Sequence, residues 1–300
     1  MQIAYVKALF AVIVWGASFV ATKVALADVS PITVVWLRFG MGVVILGITV
    51  TVRKQFELPK KSEWGYFAIV GFLGITFHQW LQSTALQTSQ AGTTAWIVAT
   101  TPVFMVLLGW LALREKLNWL QITGIVLATL GVLLVVSNGD PSTISLSQFG
   151  EPGDILVLIS SANWAVFSTI SRHGLRTHYA AQMMFYVMTF GWLFTTLLFI
   201  SSSGFYEIQQ LTPNGWIGVS FLGIFCSGLA YIAWYDALQT LPTGQLGTFL
   251  YLEPPVTVIV AAVILAESVT WAALLGGAIT LIGVWLVNQK KQSLSSKNIY

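Results

Sequence analysis

The sequence predicts an all-α integral membrane protein: ten transmembrane helices as two inverted five-helix repeats around a central cavity, both termini cytoplasmic. Three observations predict it. The 300 residues are 56% hydrophobic and 8% charged, whereas a soluble domain carries roughly 25% charged residues. Ten apolar runs reach the length of about 20 residues that a helix needs to cross a bilayer. The chain also matches itself without a gap at a shift of 152 residues.

The runs lie near 5–27, 31–52, 64–87, 91–113, 119–137, 154–172, 180–201, 214–238, 244–266 and 270–288. The links between them are too short for a soluble domain. With a cytoplasmic N-terminus, one face receives Lys7, Arg53, Lys54, Lys60, Lys61, Arg114, Lys116, Arg172, Arg176, Lys290, Lys291 and Lys297. These are 12 of the 14 Lys and Arg; the other two, Lys23 and Arg38, fall inside spans. The opposite face receives Asp140, Glu151, Asp154, Glu207 and Glu267. This is the positive-inside bias, and a count wrong by one span would scramble it. Lys7, an apolar stretch and ALA before Asp28 also resemble a cleaved signal peptide. The repeat argues for retention, because the first segment has a counterpart in the second half.

In the repeat, WGYFAIVGFLG (64–74) lies over WIGVSFLGIFC (216–226), and TALQTSQAG (84–92) over DALQTLPTG (236–244). Pro102 lies over Pro254, Glu115 over Glu267, Gly124 over Gly276 and Gly131 over Gly283. The first helices match more weakly at a shift of 149, with Trp15 over Trp164 and Lys23 over Arg172. The halves are therefore 1–140 and 150–288, followed by a cytoplasmic tail, 289–300. Five spans per half is an odd number, so the second half inserts upside down. Inverted repeats accompany secondary transport, with the substrate site near the midplane between the halves.

Other classes lack their signatures. A single cysteine, Cys226, excludes an intramolecular disulfide or a cysteine metal cluster. No basic–aromatic patch suits nucleic acid. No metalloprotease, phosphate-loop or Gly-x-Ser-x-Gly motif occurs, so neither catalytic residues, cofactor nor metal are expected. The expected partners are a small-molecule substrate and the lipid bilayer, with a homodimer possible.

Several stretches carry a resemblance. WGASFVATKVAL, the pair Arg38-Phe39, ALREKLNWLQITGIVLATLGVLLV, and LEPP with LAESVTWAALLGGAITLIGVWLV together resemble the EamA-type family of the drug/metabolite transporter superfamily, over nearly the whole chain. The resemblance implies export of amino acids or similar small metabolites across a bacterial cytoplasmic membrane. It implies a basket in which the third, fourth, eighth and ninth helices line a cavity, helped by the first and sixth. A sugar phosphate, nucleotide sugar or drug is the alternative cargo.

Candidate site residues follow from polar and aromatic groups inside spans, where ionisable side chains face a wet cavity or a partner. Trp15, Phe19 and Lys23 share a face of the first helix; Lys23 is either a cation at the cavity mouth or a snorkelling lysine. Arg38 is deeper, and a structural bond to neighbouring backbone carbonyls is the favoured reading. His78 and Gln82 share a face of the third helix, and the imidazole could bind substrate or carry a proton. Trp96 and Thr100 are a turn apart, Asn163 and Trp164 cluster, and Tyr231 and Tyr235 are a turn apart. Trp15, Trp96 and Trp164 are expected to form an apolar box suited to an aromatic or apolar side chain.

YLEPPVTVIV (251–260) places Glu253, Pro254 and Pro255 in an apolar run. The prolines must bend the ninth helix and free carbonyls, and Pro102 predicts the equivalent bend in the fourth. Glu253 is read as protonatable, either binding a substrate amine or coupling transport to protons. Glu115 and Glu267 are expected as interfacial caps. The small stripes Gly124–Ala128–Gly131 and Gly276–Thr280–Gly283 offer close packing or a dimer face.

Overall fold

The computed structural model describes residues 2–114, 116–140, 144–145, 148–241 and 243–295. Glu115, expected as an interfacial cap, and Lys297, used in the orientation argument, lie outside the described residues. The rods in order are α1 (Gln2–Leu26), α2 (Pro31–Val52), α3 (Trp64–Gly71, Phe72–Phe77 and His78–Ala85) and α4 (Ala91–Val98 and Thr101–Leu113). Then come α5 (Trp119–Val136), α6 (Pro152–Gly174), α7 (Ala180–Ile200) and α8 (Pro213–Ser220, Phe221–Leu229 and Ala230–Leu238). Last are α9 (Thr243–Phe249, Leu250–Leu252 and Glu253–Ile264) and α10 (Trp271–Ser295). Among the described residues, nine helices are long and apolar enough to cross a membrane. The rod that misses by composition is α3, whose last segment carries His78, Gln79, Gln82, Ser83 and Thr84. The strand pairing among the described residues is a two-residue ladder, Ile144–Ser145 against Gln148–Phe149, between α5 and α6.

Local chemistry sets the ends. Proline opens α2, α6 and α8, where its missing N–H costs nothing. Asn118 and Gln121 exchange side chain-to-backbone bonds at the start of α5. Both α4 and α9 end next to a left-handed residue at matching repeat positions, Arg114 (φ 55) and Ala266 (φ 53).

The closest packing joins α5 and α10. Gly124 faces Gly283 and Gly131 faces Gly276, so these helices run antiparallel; a Cβ on Gly124 would stand 2.6 Å from the Gly283 carbonyl oxygen. The small stripes are thus consumed inside the protein rather than offered to a second copy. Elsewhere α1 packs on α8 and α9, while α6 packs on α3 and α4. The outward faces stay apolar, as with Ile122, Val126 and Leu130 on α5 and Ile259 and Val263 on α9. Such exposed stripes suit lipid.

Candidate functional site

The centre of the bundle is built on two π-helical segments. Phe72–Phe77 interrupts α3 and Phe221–Leu229 interrupts α8; the 152-residue shift lays 72–77 on 224–229. A π turn widens the helix and leaves carbonyls without their usual partners, and such turns gather at functional sites. Each segment receives a side chain from the helix packed on it. Trp15 Nε1 on α1 donates to the Cys226 carbonyl at 3.2 Å, and Asn163 Nδ2 on α6 donates to the Leu73 carbonyl at 2.8 Å. These two donors come from equivalent stretches, since Trp15 corresponds to Trp164, the neighbour of Asn163.

Aromatic rings fill the space beside these bonds. Trp15 meets Tyr231 edge-on, centroids 5.4 Å apart, and Tyr231 stacks along Tyr235 at 6.2 Å. Trp164 lies between His78 and Phe167, 4.6 Å from each. Both groups border one core cluster with Phe39, Met184 and Met188.

Three ionisable groups enter this region. Arg38 is buried; its Nε donates to Ser227 Oγ at 3.1 Å and its Nη1 to Gln79 Oε1 at 3.0 Å. The expected bonds to backbone carbonyls are replaced by bonds to side chains, because a hydroxyl and an amide already face the guanidinium across α8 and α3. His78 Nδ1 lies 3.1 Å from the Ser160 carbonyl. A carbonyl only accepts, so Nδ1 carries the hydrogen and Nε2 remains the site for a proton or a ligand. The Glu253 carboxylate makes no hydrogen bond or ion pair among the described residues. Glu253 lies against Gly16, the neighbour of Trp15: a Cβ on Gly16 would stand 2.9 Å from the Glu253 carbonyl oxygen.

The breaks fall at the predicted prolines. α4 is interrupted at Ala99–Thr100, with Pro102 in the first turn of Thr101–Leu113. α9 tightens into a 3₁₀ turn at Leu250–Leu252, with Pro254 in the first turn of Glu253–Ile264 and Pro255 next to it. Thr100 Oγ1 donates to the Ile97 carbonyl at 2.6 Å, so this hydroxyl closes the break. Thr257 Oγ1 reaches both the Gly16 and Glu253 carbonyls, at 2.8 and 2.9 Å, tying the α9 bend to α1.

Other candidates lie away from the centre. Trp96 turns its ring onto Gly277 of α10, and its buried Nε1 meets no hydrogen-bond partner among the described residues. No ring contact links Trp96 to Trp15 or Trp164 among the described residues, so the expected three-tryptophan box is not assembled. Phe19 packs with Leu86, Ala95 and Ala261. Lys23 is not a free cation at a mouth: its Nζ donates to the Ser89 carbonyl at 2.8 Å and pairs with Glu267 at 3.2 Å. Glu267 acts as the expected cap, accepting from the Ala91 and Gly92 amides at the start of α4. Gln82 is half-buried beside His78's helix face. Sequence reasoning passed over Gln79 and Ser227. Gln79 sits beside His78 in sequence, a visible signal, whereas Ser227 gave none because small hydroxyls are common in membrane helices.

The sequence pattern of the EamA-like transporter family matches residues 2–137 and 151–289. The chain belongs to this family. As an EamA-like protein it is a multi-pass membrane protein and a transporter of the drug/metabolite type. Its relatives match end to end. An uncharacterized transporter of Archaeoglobus fulgidus is 27% identical over 93% of this chain and 95% of its own length. A probable terminal-alkyne amino-acid exporter of Streptantibioticus cattleyicolor is 26% identical over 93% and 91%. A protein of known crystal structure shares the fold at 19% identity, with a TM-score of 0.65 over 97% of this chain and 98% of its own.

Proposed function

We propose that this EamA-like protein is a secondary transporter that exports amino acids, or similar small metabolites, across a bacterial cytoplasmic membrane by alternating access. Two inverted five-helix halves carry the reading, with both termini cytoplasmic. The supporting observation is the exchange across the halves: α1 bonds the π segment of α8, and α6 bonds the π segment of α3. The antiparallel α5–α10 pair, with Gly124 on Gly283 and Gly131 on Gly276, has the same exchange symmetry. Such symmetry gives two arrangements of similar energy, one open to each side.

The substrate sits among Trp15, Trp164, Tyr231 and Tyr235, whose faces suit an apolar or aromatic side chain. His78 Nε2 and the unpartnered Glu253 carboxylate serve a substrate amine or a coupling proton. Similarity to a probable amino-acid exporter supports this class. Phosphorylated cargo is disfavoured, because Lys23 is already engaged by Glu267 and Arg38 alone supplies deep positive charge among the described residues. A counterflow screen of amino acids in proteoliposomes, with and without a pH gradient, tests the reading. Glu253→Gln and Trp164→Ala should each abolish export, by at least ten-fold, in protein that still melts cooperatively. Normal transport in both removes the site assignment.

A further inference from the structure

The broken helices α4 and α9 meet at one end of the bundle and part at the other. At the first end, Ala91–Val98 of α4 packs against Glu253–Ile264 of α9 and against α1. Phe19, Val20, Leu86, Ala91, Ala95 and Ala261 form a buried apolar plug there. Beyond the breaks the segments diverge. Thr101–Leu113 packs on α6 and α10, whereas Thr243–Phe249 packs on α1 and α8. A cavity of about 430 Å³ lies to the side of these segments, lined by Gln55 after α2, Leu175, His178, Tyr179 and Ala180 between α6 and α7, and Leu238 and Gln239 at the end of α8; none of its lining residues belongs to α4 or α9.

The plugged end carries one compact polar device. Lys23 projects from the last turn of α1, donates to the Ser89 carbonyl and pairs with Glu267. Glu267 sits in the turn between α9 and α10 and accepts from the Ala91 and Gly92 amides at 2.9 and 3.2 Å. These amides belong to the first turn of α4, where N–H groups lack helical partners and the helix dipole favours an anion. One carboxylate thus ties α1, the start of α4 and the end of α9 together. Both side chains keep partial exposure, 25% for Lys23 and 13% for Glu267, so water can replace the pair and the tie is reversible.

We propose that Lys23 and Glu267 form the latch of one gate, and that this structure is the state closed at the latch end and parted at the opposite end. Opening withdraws Glu267 from the α4 amides, and the Ala91–Val98 and Glu253–Ile264 segments separate about the breaks at Ala99–Thr100 and Leu250–Leu252. The inference rests on the alternating-access reading but not on the substrate. The test is accessibility. Ala95→Cys places a thiol in the plug, where Ala95 is 1% exposed, and the parent with its buried Cys226 is the blank. Proteoliposomes are treated from each side with a membrane-impermeant methanethiosulfonate. The thiol should stay unreactive from the latch side in the otherwise native chain. It should react at least ten-fold faster when Glu267→Gln is added, and likewise with Lys23→Met, which carries the test if the first variant fails to fold. Fast labelling without either change, or unchanged slow labelling in folded protein with both, overturns the gate. The labelling needs no substrate, so failure of the amino-acid screen and failure of the gate are separate results.

Discussion

Glu207 shows how much one carboxylate can organise. It lies in the short helix Gly204–Ile208 and accepts from the Ser30 amide, the Ser30 and Thr33 hydroxyls and Ser203 Oγ. Burial by itself would raise its pKa, but the bonds from Thr33, Ser30 and Ser203 outweigh it and draw the carboxyl down to about 2. A depressed carboxyl stabilises the fold above its unfolded pKa, and that contribution fades as the pH falls through the folded value. Thermal stability should therefore hold above about pH 5 and decline between about pH 4.5 and 2. Glu207→Gln should lower the melting temperature at neutral pH and flatten that acid-side decline, measured by melts across pH. The same scale explains why the polar centre resisted reading. Trp15, His78 and Glu253 stood out as unusual residues in apolar runs, but which atom meets which depends on helix rotation. Arg38's partners, Gln79 and Ser227, come from residues 41 and 189 positions away.

Helices show a different division. The prolines and small stripes are local, so the bends at Pro102 and Pro254 and close packing by the two stripes could be anticipated, but not that α5 and α10 would pack on each other. The π segments could not. They lie in stretches apolar on every side, where neither a period of 3.6 nor one of 4.4 residues leaves a distinct trace. What holds them open is a side chain from another helix, Asn163 for one and Trp15 for the other. Close packing gives the sharpest test at this scale. A Cβ on Gly124 would fall 2.6 Å from the Gly283 oxygen and 2.8 Å from Val287. Overpacking of this kind typically costs about 1–3 kcal/mol. Gly124→Val should lower the thermal midpoint in detergent, while Ile122→Val on the exposed face should leave it unchanged.

For the whole molecule, orientation is the expectation open to test. If the halves are inverted and each crosses five times, Lys54 and Lys291 face the same compartment. An impermeant amine reagent should modify both from one side, and modification from opposite sides defeats the arrangement. The long apolar runs, the internal repeat and the charge bias were all legible because they rest on composition and on residues compared at fixed spacing. Lipid selects apolar runs of one length, and that selection is written locally. The sequence by itself therefore determined that this chain lives in a bilayer, repeats itself and breaks its fourth and ninth helices near their middles. Tertiary structure alone decided that Trp96 leaves the centre for α10, that Lys23 is claimed by Glu267, and that two π segments are propped open across the halves. These outcomes depend on the rotation and depth of one helix against another. In a membrane such choices come from close packing and hydrogen bonds between distant residues, not from any pattern along the chain.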